Sequence, residues 1–232
     1  MIRLIILGLM VILVGCTNQQ TDNKLPHRIN IEQDTLSVLQ KNRLRWHQKV
    51  KRVRVVDRKF FGISPSYRGA TFQDLKNNNL YVVKATVMNL KKVKWSSPMP
   101  QTKITFKVKR VISGNKGLEK KRLYLNFPGG FARERDIYTT NLGTVSTAQP
   151  DNEIFYRTPN TPLPEIGSTV IMCLRNDSSQ PKSLDKLYIN DVEHTFWIKN
   201  KDKYVLNNPA FQTADRKLNI FKLTEELNRI KD

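Results

Sequence analysis

Residues Ile104-Thr105-Phe106-Lys107-Val108-Lys109 alternate strictly between apolar and polar. A side-chain period of two belongs to a strand with one face in a core and one in water, so Ile104, Phe106 and Val108 point inward and Lys107 and Lys109 outward. The neighbouring segments have the same character. Leu80-Tyr81-Val82-Val83-Lys84-Ala85-Thr86-Val87-Met88 is rich in β-branched and aromatic residues, and Arg122-Leu123-Tyr124-Leu125-Asn126-Phe127 reads as a third strand. Turn chemistry separates them at Ser113-Gly114-Asn115-Lys116-Gly117 and closes the third at Pro128-Gly129-Gly130. Further strands are expected at 168–174, 187–190, 194–199 and 203–206, and a terminal helix opens at Thr224-Glu225-Glu226-Leu227. The chain is therefore expected to be mainly β from residue 80 onward. Residues 131–165 are polar, contain Pro150, Pro159, Pro162 and Pro164 and lack periodicity, so they read as one long loop.

Before the strands, residues 31–50 have helical spacing, with Leu36, Leu39, Leu44, His47 and Val50 near one face, Trp46 as helix packing, and Asp34 or Thr35 as the cap. Val53-Arg54-Val55-Val56 suits a short strand or an extended connector, and Ser64-Pro65-Ser66-Tyr67-Arg68-Gly69 a turn. Thr71-Phe72-Gln73-Asp74 has capping-box spacing: hydroxyl and carboxylate each satisfy an orphan amide at a helix start, and the helix runs to Lys76 before Asn77-Asn78-Asn79.

The extreme N-terminus has a different logic. Arg3 is the one charge before an unbroken apolar run at 4–14, too short to cross a bilayer as a helix and suited to the core of an export signal. Leu13-Val14-Gly15-Cys16 resembles the lipobox of bacterial lipoproteins. The resemblance implies that residues 1–15 are removed, that Cys16 carries diacylglyceryl and becomes the first residue, and that the chain is held on the extracytoplasmic side of the cell membrane. Two or more acyl chains on one residue pass the threshold for stable anchoring. Polar residues 16–30 read as a tether, 31–79 as an N-terminal extension, helical then irregular, and 80–232 as the β domain. Cys173 is the one other cysteine, so the domain has no internal disulfide. Its apolar setting, Val170-Ile171-Met172-Cys173-Leu174, suits a buried, inert thiol.

A formal charge of +20 draws such a chain to polyanions. Nine basic residues lie between 41 and 59 against Asp57 alone, and twelve between 84 and 122 against Glu119 alone, whereas acids outnumber bases over 133–165. Two-sided charge is expected. For an exported chain nucleic acid is not the natural partner; the available anions are lipid headgroups and anionic wall polymers, and each Lys or Arg near such a surface contributes about 1 kcal/mol. Candidate contacts are Lys51, Arg52, Arg54, Lys91, Lys92, Lys94, Trp95, Lys107 and Lys109, with Trp95 beside Lys94 in a strand-connecting loop.

Chemistry-bearing constellations are sparse. His27, His47 and His194 are far apart, and no Cys/His/Asp spacing for a metal is present, so neither metal nor cofactor is expected. Glu134, Asp136, Asp151 and Glu153 would serve acid–base chemistry if the fold paired them. No Gly-x-Ser-x-Gly elbow occurs, and Gly114-Asn115-Lys116-Gly117 lacks phosphate-loop spacing. The expected class is a non-enzymatic surface protein presenting a basic face to an anionic envelope polymer, a membrane surface or an acidic protein partner, with an envelope enzyme using the 131–165 carboxylates, or a structural subunit of an envelope complex, as alternatives.

The order of a long strand, an alternating strand, Ile112-Ser113-Gly114-Asn115, a strand, Gly129-Gly130, a polar excursion, Glu165-Ile166-Gly167-Ser168-Thr169-Val170-Ile171-Met172 and Leu223-Thr224-Glu225-Glu226-Leu227 resembles uncharacterised exported proteins of Gram-positive bacteria. Those have a small barrel similar to the oligonucleotide/oligosaccharide-binding (OB) fold, also used by tissue inhibitors of metalloproteinases. The resemblance spans roughly 71–227 and implies an OB-like barrel with an N-terminal helical extension and a short C-terminal helix; Lys84-Ala85 stands where the group usually has glycine. The inhibitors' zinc chelation by a free N-terminal cysteine does not carry over, because a lipidated Cys16 has no free amine to offer.

Overall fold

The computed structural model describes residues 26–57, 71–93, 99–141, 151–176, 186–214 and 218–230. Cys16, Lys94 and Trp95, the turn expected at 64–69 and Pro150 lie outside them. The chain divides into two compact units, Met1–Thr35 and Leu36–Asp232. Of the first, residues 26–35 are helical, so the helix α1 (Pro26–Val50) starts within the expected tether.

In the second unit α1 presents Leu39, Trp46 and Val50 to the core, with Asn42 half-buried and Arg43 exposed beside them. Trp46 is 8% exposed, while Leu36 and Leu44 are 58% and 63% exposed and His47 is exposed too. Leu39, Val50 and the packing of Trp46 are as expected, but Leu36, Leu44 and His47 do not share the buried face, which is rotated from the expected one. Trp46 fixes the rotation: its ring packs edge-on against Phe131 and Phe155 at 5.3 and 6.0 Å. Asn42 Nδ2 donates to the Met88 carbonyl at 3.1 Å, and Arg43 Nε to that of Ile166 at 2.9 Å, fixing the same orientation.

A short strand β1 (Arg54–Asp57) follows, then helix α2 (Phe72–Asn77), opened by the expected capping box: Thr71 Oγ1 accepts from the Asp74 amide and the Asp74 carboxylate accepts from the Thr71 amide. The main sheet then begins with β2 (Tyr81–Lys92), β3 (Gln101–Ser113) and β4 (Arg122–Pro128), and continues with β7 (Thr169–Asn176), β8 (Leu187–Ile189), β9 (Phe196–Asn200) and β10 (Lys203–Leu206). Its path is β10-β9-β7-β2-β3-β4, antiparallel throughout, with β8 paired to β7 and lying alongside β4. The fold is mainly β. The hydrogen-bonded path is open, ending at β10 and β4, where an OB-like barrel had been expected.

The 131–165 stretch is not one loop. It holds the ends of β5 (Gly130–Arg133) and helix α3 (Glu134–Asn141), then β6 (Glu153–Arg157), and β1, β6 and β5 form a second sheet in which β1 and β6 run parallel. Ile154, Phe155 and Tyr156 are all buried, as are Phe131 and Ala132. Strand β1 answers the short strand expected at 53–56; β5 and β6 were not foreseen, because strands covered on both sides lose the period-two signal.

Two cores sandwich the main sheet. Val83, Ala85, Val87, Ile104, Phe106, Val108, Leu123, Leu125 and Phe127 meet Trp46, Phe131 and Phe155 on one side. On the other, Val82, Ile171, Cys173 and Trp197 pack under Leu75 of α2 and Ile220, Leu223 and Leu227 of helix α4 (Asn219–Asn228). Thr224, expected to open α4, sits inside it, accepting from Trp197 Nε1 at 2.9 Å and donating to the Ile220 carbonyl at 2.7 Å.

Candidate polyanion-binding surface

Helices α2 and α4 cover the outer face of the sheet around β2, β7, β9 and β10 and reach Ile112 near the end of β3. The rest of the outer face of β3 and that of β4 have no such cover among the described residues: Lys103, Lys107, Lys109, Arg122, Tyr124 and Asn126 are all exposed. Register sets the charges there in opposition. Lys91 of β2 stands directly across from Lys103 of β3, and Lys107 of β3 directly across from Arg122 of β4. Like charges facing one another across a strand pair are destabilising, by the same roughly 0.2–1 kcal/mol that opposite charges gain there. Among the described residues no ion pair relieves Lys91, Lys103, Lys107 or Arg122. Lys103 Nζ lies 5.8 Å from the centre of the Tyr124 ring, and Lys109 Nζ is 3.4 Å from Thr169 Oγ1.

Beside this face, α1 and the end of β2 enclose a groove of about 600 Å³. Arg45, Lys49 and Arg52 line it from one flank of the helix, and Lys91 and Lys92 from the strand, with the amides of Asn42, Gln48 and Asn89 between them. Among the described residues no carboxylate lines it. Lys91 belongs both to the groove and to the sheet face. The separate basic segments at 41–59 and 84–122 thus converge in space.

The remaining candidates have other engagements. Arg54 is ion-paired with the buried Glu134, and Lys92, though it lines the groove, is ion-paired with Glu153. Lys51 lies on the opposite flank of α1, in a second cavity. Lys103, Arg122, Tyr124, Arg45 and Lys49 were not among the candidates. Lys103 was within reach, because it continues the alternation of Lys107 and Lys109; Arg122 was not, because only register places it beside Lys107.

The four carboxylates weighed for acid–base chemistry each face a cation. Besides the two pairs above, Arg133 Nε lies 2.9 Å from Asp136 and 3.8 Å from Asp151, and Arg135 Nε 3.4 Å from Asp151. The hydrogen bond to Asp136 raises the Arg133 pKa. Nearby, Arg157 grips Asp57 with two bonds of 2.6 and 2.8 Å, which hold the Asp57 carboxyl below the usual range. His194 is buried against Phe211 with its Nδ1 2.9 Å from Asp191 Oδ2. Burial pushes the Cys173 thiol far up, the expected inert state. Among the described residues no cluster of three or more His, Cys, Asp or Glu is placed to hold a metal ion, and no helix is long and apolar enough to cross a membrane.

No protein-family model, curated protein or solved structure matches the chain.

Proposed function

We propose that this chain is a non-enzymatic, lipid-anchored protein of the extracytoplasmic membrane surface, whose bare sheet face and adjoining groove bind an anionic envelope polymer or anionic headgroups. The observation that carries the reading is the opposition of Lys91 to Lys103 and of Lys107 to Arg122. A face built for stability alone would alternate signs; one that pairs like charges stores a repulsion that a bound polyanion relieves. The 1–15 leader and Cys16 supply the anchor, which keeps the face within a tether's length of its ligand.

The strand arrangement supports an OB-like reading. The ring β2-β3-β4-β8-β7 is hydrogen-bonded at every step but the contact of β4 with β8, and a partly open five-stranded barrel is what an OB fold has. The side of such barrels that meets ligands includes the second and third strands, here β3 and β4. The pairing of Glu134, Asp136, Asp151 and Glu153 with arginines and lysine favours binding over acid–base catalysis.

The test is cosedimentation of the purified protein with a glycerol-phosphate polymer and with vesicles containing phosphatidylglycerol, across a salt series. Binding is expected to weaken steadily with salt, and Lys103→Glu with Lys107→Glu to abolish most of it. Salt-insensitive binding, no binding to either probe, or full binding by the double variant overturns the reading.

A further inference from the structure

On the flank of α1 opposite the basic groove lies a cavity of about 660 Å³, within the range of about 300–1,000 Å³ that holds small ligands. Trp46, Val50, Leu90, Phe155, Leu163 and Ile166 supply its apolar surface. Pro128, Pro159, Pro162 and Pro164 complete the wall, and a proline has no amide hydrogen to donate.

The polar groups of this wall are largely committed to one another. The Ile166 carbonyl accepts Arg43, and the Pro162 carbonyl accepts Asn207 Nδ2 at 2.7 Å. Thr158 Oγ1 donates to the Thr161 carbonyl at 2.9 Å, the Gly129 amide to the Pro100 carbonyl at 2.8 Å, and Asp57 and Arg157 are bonded to each other. A sugar or an extended peptide entering here would lose its hydrogen bonds to water and find few in exchange, a cost an aliphatic chain does not incur. The rim is different. His47 in the last turn of α1 and Lys51 just past its end, whose amide donates to the His47 carbonyl, are exposed and have no ion pair among the described residues. With Arg43 and Arg157 set against Asp57 and Glu165, the lining charges sum to a positive value even with His47 neutral.

We propose that this cavity binds the acyl chain of an anionic amphiphile, with the head group at Lys51 and His47. A fatty acid and a lysophospholipid share this chemistry. The site is separate from the sheet face and does not depend on the polyanion reading.

The experiment is calorimetric titration of the full chain carrying Cys16→Ser, so that no attached acyl chain competes. The probes are dodecanoate, lauroyl lysophosphatidylglycerol and uncharged dodecanol, each below its aggregation concentration. One or both anionic probes are expected to bind saturably, one per chain, and more tightly than dodecanol; which of the two does so distinguishes carboxylate from phosphate. Leu163→Trp, which fills the cavity, is expected to weaken all binding at least tenfold. Lys51→Glu, on the surface, is expected to weaken the anionic probes several-fold and leave dodecanol unchanged, and Lys103→Glu with Lys107→Glu to change none of them. A photoreactive dodecanoate gives an independent reading if Leu163→Trp fails to fold: labelling is expected within 43–51 and 155–166 or at Asp57, Leu90, Pro128 or Gly129. The proposal is overturned by a lack of saturable binding, by wild-type affinity in a folded Leu163→Trp, by dodecanol binding as tightly as the anions, or by labelling elsewhere.

Discussion

Lys107 lies directly across the β3–β4 pair from Arg122, and both side chains are exposed. The pair is expected to reduce stability for as long as no anion lies on it. Lys107→Gln should therefore stabilise the free protein by about 0.2–1 kcal/mol at low salt, and the gain should shrink as salt screens the repulsion. Urea denaturation of both proteins at two ionic strengths measures this; a loss of stability, or a gain indifferent to salt, contradicts it.

Among the described side chains of α1 that dock it, Trp46 is the one that is buried. Trp46 touches Phe131 and Phe155 edge-on and belongs to the main core, so Trp46→Ala leaves a cavity costing about 3–5 kcal/mol. Leu44, two residues away and 63% exposed, should tolerate alanine within about 0.5 kcal/mol. The difference in urea midpoints between the two variants reads out which face of α1 is buried.

Asp57 ties β1 to β6 through Arg157, and its pKa is lowered chiefly by that hydrogen bond. A carboxyl whose folded pKa lies below its unfolded value of about 3.9 stabilises the protein above that value and loses the contribution as pH falls through the folded pKa. Asp57→Asn should accordingly lie below the wild type in stability at pH 6–7, with the gap closing below pH 4. Asp74, lowered chiefly by the Thr71 amide, follows the same sign. Chemical denaturation midpoints between pH 2 and 7 report both; a gap that widens on acidification contradicts the assignment.

The Cys173 thiol is fully buried between strands and its ionisation is pushed upward by that burial. Because the thiolate is the reactive form, iodoacetamide at pH 8 should leave native Cys173 unmodified over hours and label it promptly in urea. Mass spectrometry before and after denaturation measures the protection.

Features set by local chemistry were legible from the chain. The alternation at 104–109 correctly assigned Ile104, Phe106 and Val108 to the core and Lys107 and Lys109 to the surface, because the pleat alone decides which way a strand residue points. The capping box at Thr71 and Asp74 was equally readable, since every atom involved lies within four residues. Features set by distant partners were not. The rotation of α1 depends on Phe131 and Phe155, and β5 and β6, buried on both faces, have no alternation to mark them as strands, whereas the short strand at β1 was offered by its residues.

Sequence by itself determined the mainly β character of the chain, its strongly basic charge and the outward direction of its strand lysines. Tertiary structure decided which cations meet. Lys91 faces Lys103, and Lys107 faces Arg122, because of strand register, which is settled by turns and by packing of the opposite face. The same docking that buried Trp46 placed Arg45, Lys49 and Arg52 beside Lys91 on one flank of α1, and left an apolar cavity on the other. Charge is a property of residues, but a binding surface is a property of their neighbours.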